Sequence, residues 1–144
     1  MQGFARFLLD VLRLRLASGT LTKTEDFMEL AQLAMQQGLP SEARRVAERA
    51  LALDRTSGAV ESADIARDLT NLARVLRGLG KREENLGNQD EARALLTEAR
   101  AKAEQALAID ERLNGLDHPE LIPRINDLSV IVRDLGDLEA AERH

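Results

Sequence analysis

The sequence has no cysteine, tryptophan or tyrosine, and only three phenylalanines among its 144 residues. Without cysteine there is neither a disulfide framework nor thiolate chemistry. Aromatic residues make up 2% of the chain and hydrophobic residues 44%, so the core must be built from Leu, Ala, Ile and Val. No segment shows the β-branched alternation typical of strands, and the Ala- and Leu-rich composition favours helices.

A net positive charge is also absent, since the formal net charge is −5 at pH 7. Nucleic acids bind basic faces, so this balance indicates that the chain has no nucleic-acid partner. No apolar run approaches the ~20 residues that are needed to span a bilayer. We therefore expect a cytoplasmic protein that makes no membrane contact.

The N-terminal segment, residues 4–19, is apolar but is interrupted by Asp10, Arg13 and Arg15. These charges, and the lack of a small-residue cleavage site, favour an amphipathic helix of the mature protein over a signal peptide. One stripe of this helix is expected to pack on a partner helix, with a membrane surface as the alternative. The stripe consists of Phe4, Phe7, Leu8, Val11 and Leu12.

Residue types that carry catalysis are scarce. His118 lies in a linker, where a role in capping backbone groups is expected, and His144 is C-terminal. The paired acids at 83–84 and 90–91 fall near expected helix ends, where acids usually serve capping and solvation. No nucleophile elbow, phosphate-binding glycine loop or His-Glu-x-x-His motif occurs. We predict no enzymatic activity, no cofactor and no metal site.

The chain does contain internal repetition. Three similar stretches end at Gly38, Gly80 and Gly136, and the second interval is longer than the first by two heptads. Such self-similarity is typical of stacked helical units that bury their apolar faces against their neighbours. The motif Ala-Leu-Ala-apolar-Asp occurs at 50–54 and again at 106–110, offset by the same interval that separates Gly80 from Gly136. Its short side chains would let the two helices of a hairpin approach closely.

These features resemble the tetratricopeptide repeat (TPR), with its Leu, small residue, turn glycine and later alanines. The linker at 115–119 (Gly-Leu-Asp-His-Pro) and the helix motifs at 69–73 and 125–129 resemble the 42-residue subtype of kinesin light chains. The resemblance covers about residues 24–144, although the first unit lacks the Asn pair and family aromatics are missing. It implies an all-α, right-handed α-solenoid of helical hairpins. It also implies that Asn71 and Asn126 bind peptide backbone in a concave groove.

The second unit is longer than the first, and the excess can be placed. Gly87 follows Gly80 by seven residues and Ala106 follows Ala99 by seven, so both helices of this hairpin are predicted to have grown by one heptad. The tip would then lie at 86–88, with Asn88 starting a capping box. In the alternative interpretation, the helix ends at Gly80 and 81–88 form a loop, because glycine inside a helix costs about 1 kcal/mol.

We predict a single domain over residues 1–144. Its parts are a leading helix (1–20), repeat 1 (22–58), an extended repeat 2 (61–115) and a truncated repeat 3 (117–144). In repeat 3 a helix from near Pro119 to 135 is followed by a turn at Gly136 and a stub from 138. Apolar surface is expected at both ends, either because the chain is a segment of a longer array or because chains pack end to end.

The first helix of each hairpin is expected to line the groove. In repeat 2 its apolar stripe comprises Ile65, Leu69, Leu72, Leu76 and Leu79, and its opposite face carries Arg67, Thr70, Asn71, Arg74 and Arg77. The corresponding residues are Met28, Gln32 and Met35 in repeat 1 and Asn126, Val130 and Arg133 in repeat 3. The arginines would favour acidic ligands. The alternative is that these side chains form only the solvated face of an amphipathic helix.

From this organisation we expect a non-catalytic protein-interaction module whose partner is a protein or peptide, with acidic peptides favoured. One alternative is a structural element that forms homo-oligomers through its exposed end helices. Another is a sensor arm of a larger multidomain protein.

Overall fold

The computed structural model describes residues 2–56 and 62–142, and in that part of the chain the secondary structure is entirely helical. The predicted all-α fold is confirmed. The helices are α1 (Gln2–Ala17), α2 (Thr24–Gln36), α3 (Pro40–Arg55), α4 (Ala63–Asn85), α5 (Gln89–Asn114) and α6 (Leu121–Glu142). The predicted boundary between repeats 1 and 2, at 58–61, and the last two residues of repeat 3, at 143–144, lie outside the described residues.

Local sequence signals set the helix ends. The hydroxyl of Ser62 caps α4 by accepting a hydrogen bond from the backbone N–H of Ile65 at 3.1 Å. Pro40 is the first residue of α3, where its missing N–H has no intrahelical role. Gly38 and Gly87 follow α2 and α4 with φ angles of 76° and 87°, a region that glycine enters without strain. These turns fold α3 back along α2 and α5 back along α4.

The middle hairpin is long, as predicted. Helix α4 continues through Gly80 to Asn85, so the alternative of a loop over 81–88 is wrong. Glycine at position 80 serves packing rather than a turn, because a Cβ there would lie 2.9 Å from Cγ of Leu96 on α5. The predicted capping box is also wrong: the Asn88 side chain makes no cap and instead donates to Glu83 Oε2 at 2.6 Å.

Repeat 3 differs from its prediction. The turn at Gly136 and the separate stub from 138 are wrong, because α6 runs unbroken from Leu121 to Glu142. Leu135 and Leu138, 7% and 0% exposed, anchor the helix on both sides of the glycine and outweigh its propensity cost of about 1 kcal/mol. The offset from Gly80 to Gly136, called here the repeat interval, therefore relates equivalent positions inside two long helices. The helix also begins at Leu121 rather than near Pro119.

The helices pack in chain order, each on the next, from α1 to α6. In addition α4 contacts both α2 and α6, so the first helices of the three units lie side by side. One continuous core, mainly of Leu and Ala, extends from Leu9 to Leu138. The predicted apolar stripe of α4 is confirmed, and each of its five residues is at most 8% exposed.

The stripe predicted for the leading helix is only partly buried, because Leu12 lies in the core and Leu8 packs against it while Phe4 and Phe7 face outward. Leu9 and Leu12 are 0% and 3% exposed, whereas Phe4 and Phe7 are 64% and 65% exposed. The sequence does not distinguish these faces, because both are apolar at helical spacing. An ion pair between Arg13 and Glu42 of α3 accompanies the observed orientation. The hydrogen bond from Arg13 lowers the pKa of Glu42.

Candidate peptide-binding groove

A cavity of about 390 Å³ lies between α2 and α4. This volume falls near the lower end of the roughly 300–1,000 Å³ typical of ligand pockets. The cavity is lined by Met28, Ala31, Gln32, Met35, Asn71, Arg74 and Val75. The structure therefore brings together the groove residues that the sequence assigned to repeat 1 and two of those assigned to repeat 2.

The chemistry of this lining is mixed. Met28 and Met35 provide flexible, polarisable walls that adapt to differently shaped apolar groups. Gln32 and Asn71 add amides, each with donors and an acceptor, as a peptide backbone requires. Arg74 is the single charged side chain of the lining. The cavity is therefore suited to an apolar side chain whose backbone hydrogen-bonds at the rim.

Two of the three predicted arginines are paired with α6. Arg74 donates from both Nε and Nη2 to Asp127 Oδ2, at 3.2 and 2.8 Å. Arg77 Nε donates to Asp134 Oδ2 at 2.5 Å, and Asp134 is buried. These two ion pairs link α4 to α6. A second cavity, of about 260 Å³, is lined by Arg74, Arg77, Asp127, Val130 and Ile131.

The third arginine and the threonine of the predicted row lie elsewhere. Arg67 pairs with Asp64 on its own helix at 2.6 Å. Thr70 is 2% exposed, and its hydroxyl donates to the carbonyl of Ala66 at 2.9 Å. Thr70 is therefore not part of the groove surface, because its polar group is satisfied within α4.

The residues predicted for repeat 3 are divided. Val130 lines the second cavity, whereas Asn126 and Arg133 are exposed and are not part of the α2–α4 cavity. Asn126 therefore does not share the surroundings of Asn71, although the resemblance implied the same role for both.

Sequence reasoning missed a pair of carboxyls beside this groove, formed by the buried Asp68 and the half-buried Asp54. Asp68 of α4 is 1% exposed, and no N–H or hydroxyl group of the described residues donates to its carboxylate oxygens. The pKa of Asp68 is raised to about 8, mainly by burial. The hydrogen bond with Asp54 and the negative charge of Asp54 add to this shift. Two carboxyls hydrogen-bond only when one is protonated, so the raised pKa favours the neutral form of Asp68 at neutral pH. The Ala-Leu-Ala-Leu-Asp motif that ends in Asp54 was the available signal.

The side chain of His118 contacts the backbone just before α6. His118 Nδ1 accepts a hydrogen bond from the backbone N–H of Glu120 at 3.2 Å, which confirms its capping role. Within residues 2–56 and 62–142, no group of three or more His, Cys, Asp and Glu is placed to hold a metal ion. In the same part of the chain, no helix has both the length and the apolar character needed to cross a membrane.

Comparison with known proteins finds no family model and no curated protein that matches this chain.

Proposed function

We propose that this chain is a non-catalytic protein-interaction module of the TPR type, a right-handed solenoid of hairpins that binds a peptide between α2 and α4. The observation that carries the proposal is the cavity of about 390 Å³ between these two helices. The packing of helices in chain order, with α2, α4 and α6 side by side, supports the solenoid. A cytoplasmic location stays a prediction.

The lining of the cavity favours a particular ligand. One large apolar side chain of the peptide occupies the space between Met28 and Met35, where methionines adapt to its shape. The amide of Asn71 then donates to and accepts from the backbone of the peptide next to that residue. This mode uses one deep contact and a few polar contacts at the rim, as in most pockets.

Acidic residues in the ligand contribute less than the arginines alone suggest. Arg74 already has a carboxylate partner in Asp127, so a ligand carboxylate must exchange with it. Arg74 is 54% exposed, and ion pairs at such exposure contribute at most about 1 kcal/mol. The apolar side chain is therefore the main determinant of affinity.

The test uses a phage-displayed library of random peptides, selected on the purified chain. We expect the selected peptides to share one large apolar residue. Replacing Asn71 with Ala should lower the affinity for the best peptide about tenfold, the loss expected when the hydrogen bonds of the Asn71 amide are removed. Fluorescence anisotropy with the labelled peptide measures the affinity.

The matched control is Asn126→Ala, because Asn126 is exposed on α6 and does not line this cavity. Its affinity for the peptide should equal that of the parent chain. Equal losses from both asparagine variants, or a library that yields no binding peptide, would contradict the groove assignment.

A further inference from the structure

The first and last described helices each leave an apolar stripe exposed, away from the groove residues. The two stripes have the same spacing, with intervals of three and seven residues, so each lies along one helical face. Their members are Phe4, Phe7 and Leu14 on α1 and Ile122, Ile125 and Val132 on α6, each at least 43% exposed. Exposed apolar side chains that are aligned on one helical face are typical of interaction sites.

The stripe on α6 corresponds to a surface that another helix covers elsewhere in the molecule. The residues one repeat interval earlier, Ala66, Leu69 and Leu76, are at most 1% exposed in α4. They lie on the face of α4 that contacts α5, where Gly80 meets Leu96. The α6 stripe is therefore equivalent to a face that binds an antiparallel helix.

Helix α1 lacks the opposite partner, the first helix of a hairpin. It packs on α2 as α3 packs on α4 and as α5 packs on α6, so it occupies the place of the second helix of a hairpin. Helices α3 and α5 each have a hairpin partner on their other side. On α1 that other side carries the exposed Phe4 and Phe7.

We propose that α1 of one copy of this chain docks antiparallel on the exposed stripe of α6 in a second copy, completing a hairpin between the two chains. Several charges of these helices already pair with other helices of the same chain and so do not choose a partner, namely Arg13 and Arg15 of α1 and Arg124, Asp127 and Asp134 of α6. The α1–α6 combination is favoured over α1–α1 or α6–α6 because it alone joins a second-helix position to a first-helix position, and because it sets Arg6 of α1 near exposed acids of α6.

The antiparallel arrangement fits the shape and the charges of α6. It sets the N-terminal half of α1, with Phe4 and Arg6, beside the C-terminal half of α6. There Gly136 leaves space for a phenylalanine ring, because a Cβ built on it meets no atom within 4 Å. Asp137 and Glu139 are exposed at the same end, where they can attract the positive charge of Arg6, whose partner Asp10, at 3.6 Å on α1, is itself exposed.

This interface is heterologous, so every chain that donates α1 still presents a vacant α6. Association therefore continues beyond the dimer. We expect the mean mass from light scattering to rise steadily as concentration increases from about 1 μM to about 1 mM, the range of weak interfaces. A single chain mass over this whole range would overturn the proposal.

The decisive experiment uses two variants that each damage one side. Phe7→Glu disables the α1 stripe and Val132→Glu disables the α6 stripe, so either protein alone should remain monomeric. Each retains the surface that the other lacks, so an equimolar mixture should form a one-to-one dimer and grow no further. Self-association that persists in either variant, or a mixture that stays monomeric, would refute the α1–α6 pairing.

The control is Leu86→Glu, because Leu86 is 63% exposed in the turn between α4 and α5, outside both stripes. This variant should associate like the parent chain. Far-UV circular dichroism checks that all three variants keep their helix content. A loss of association in Leu86→Glu equal to that in Phe7→Glu would also contradict the proposal.

Discussion

The α5–α6 and α3–α4 interfaces occupy equivalent places in the molecule, but the buried aspartate of each has a different partner. Where α5 meets α6, Asp110 is 2% exposed and accepts a hydrogen bond from Arg124 Nε at 2.7 Å. The residues one repeat interval earlier, where α3 meets α4, are Asp54 and Asp68. The arginine position of one interface is thus an aspartate in the other, and the buried ion pair is replaced by two neighbouring carboxyls.

The difference shows how one side chain decides the charge state of a repeated interface. At the α5–α6 interface, opposite charges compensate each other's desolvation. At the α3–α4 interface, burial and the neighbouring Asp54 raise the pKa of Asp68 and so favour the neutral form of that carboxyl. The backbone arrangement is shared, so exchanging the side chains tests this explanation directly.

The largest effect is expected from Arg124→Asp, which gives the second interface the chemistry of the first. Loss of one partner of a buried ion pair typically costs about 3–5 kcal/mol. We expect a decrease of about this size in the free energy of unfolding at pH 8 and a smaller decrease at pH 5, where the new pair can hold a proton. Urea unfolding followed by circular dichroism measures both.

The control for this variant is Arg100→Asp, since Arg100 and Glu104 form an exposed pair on α5 at 53% and 51% exposure. Exposed pairs contribute less than about 1 kcal/mol. If Arg124→Asp were no more destabilising than Arg100→Asp, the burial of the Asp110–Arg124 pair would be irrelevant to stability.

A moderate stabilisation is expected from Asp68→Asn. The pKa of Asp68 is raised from its ordinary 3.8 to about 8 in the folded chain, so between these values the unfolded chain releases a proton that the folded chain retains. Stability must therefore fall as pH rises through this window and level off above it. Asn does not titrate, so the free energy of unfolding of the variant should match that of the parent near pH 4 and exceed it increasingly as pH rises to 8.

Urea unfolding at half-unit steps of pH checks this expectation. The groups that surround Asp68 electrostatically are Asp54 and Asp64, which raise its pKa, and Arg67, which lowers it. These three groups remain in the Asp68→Asn variant, so any pH dependence that its stability still shows reports their contribution. Parallel pH profiles for parent and variant would show that Asp68 does not titrate in this window.

The smallest effects come from a second pair of equivalent positions. Gly80→Ala places a Cβ 2.9 Å from Leu96 Cγ and 3.4 Å from the Ala92 carbonyl, so we expect the cost of overpacking to exceed the gain in helix propensity and to leave a net loss of about 1 kcal/mol. Gly136→Ala meets no neighbour and should gain about 0.5–1 kcal/mol from helix propensity. Thermal unfolding in dilute solution measures both. Shifts of the same sign would contradict the different roles of the two glycines.

The fold was largely predictable where the local pattern and the tertiary packing coincide. Leucines at helical spacing in α4 are buried as expected, and Gly87 forms the tip of the long hairpin. Gly136 was wrongly assigned to a turn, because glycine serves turns, close packing and open helical positions alike. The sequence alone does not separate these three uses.

The candidate site was less predictable, because its charges depend on contacts between distant segments. Arg74 and Arg77 are neutralised by Asp127 and Asp134, which belong to a different helical unit far along the chain. Thr70 was counted with the polar face, yet its hydroxyl bonds to its own helix and is buried there. Polarity indicates exposure only when a side chain has no partner within the fold.

The first helices of the three units, α2, α4 and α6, differ in length, and this difference bears on how the tip of the long hairpin can bend. Helix α4 extends seven residues, or about 10 Å, beyond the level at which α2 ends, which the contact between Met35 and Gly78 marks. Helix α6 reaches the full height of α4 and is tied to it by Arg77 and Asp134. We therefore expect a force applied at Leu86 to meet more support on the α6 side than on the α2 side, so that the tip yields preferentially toward α2.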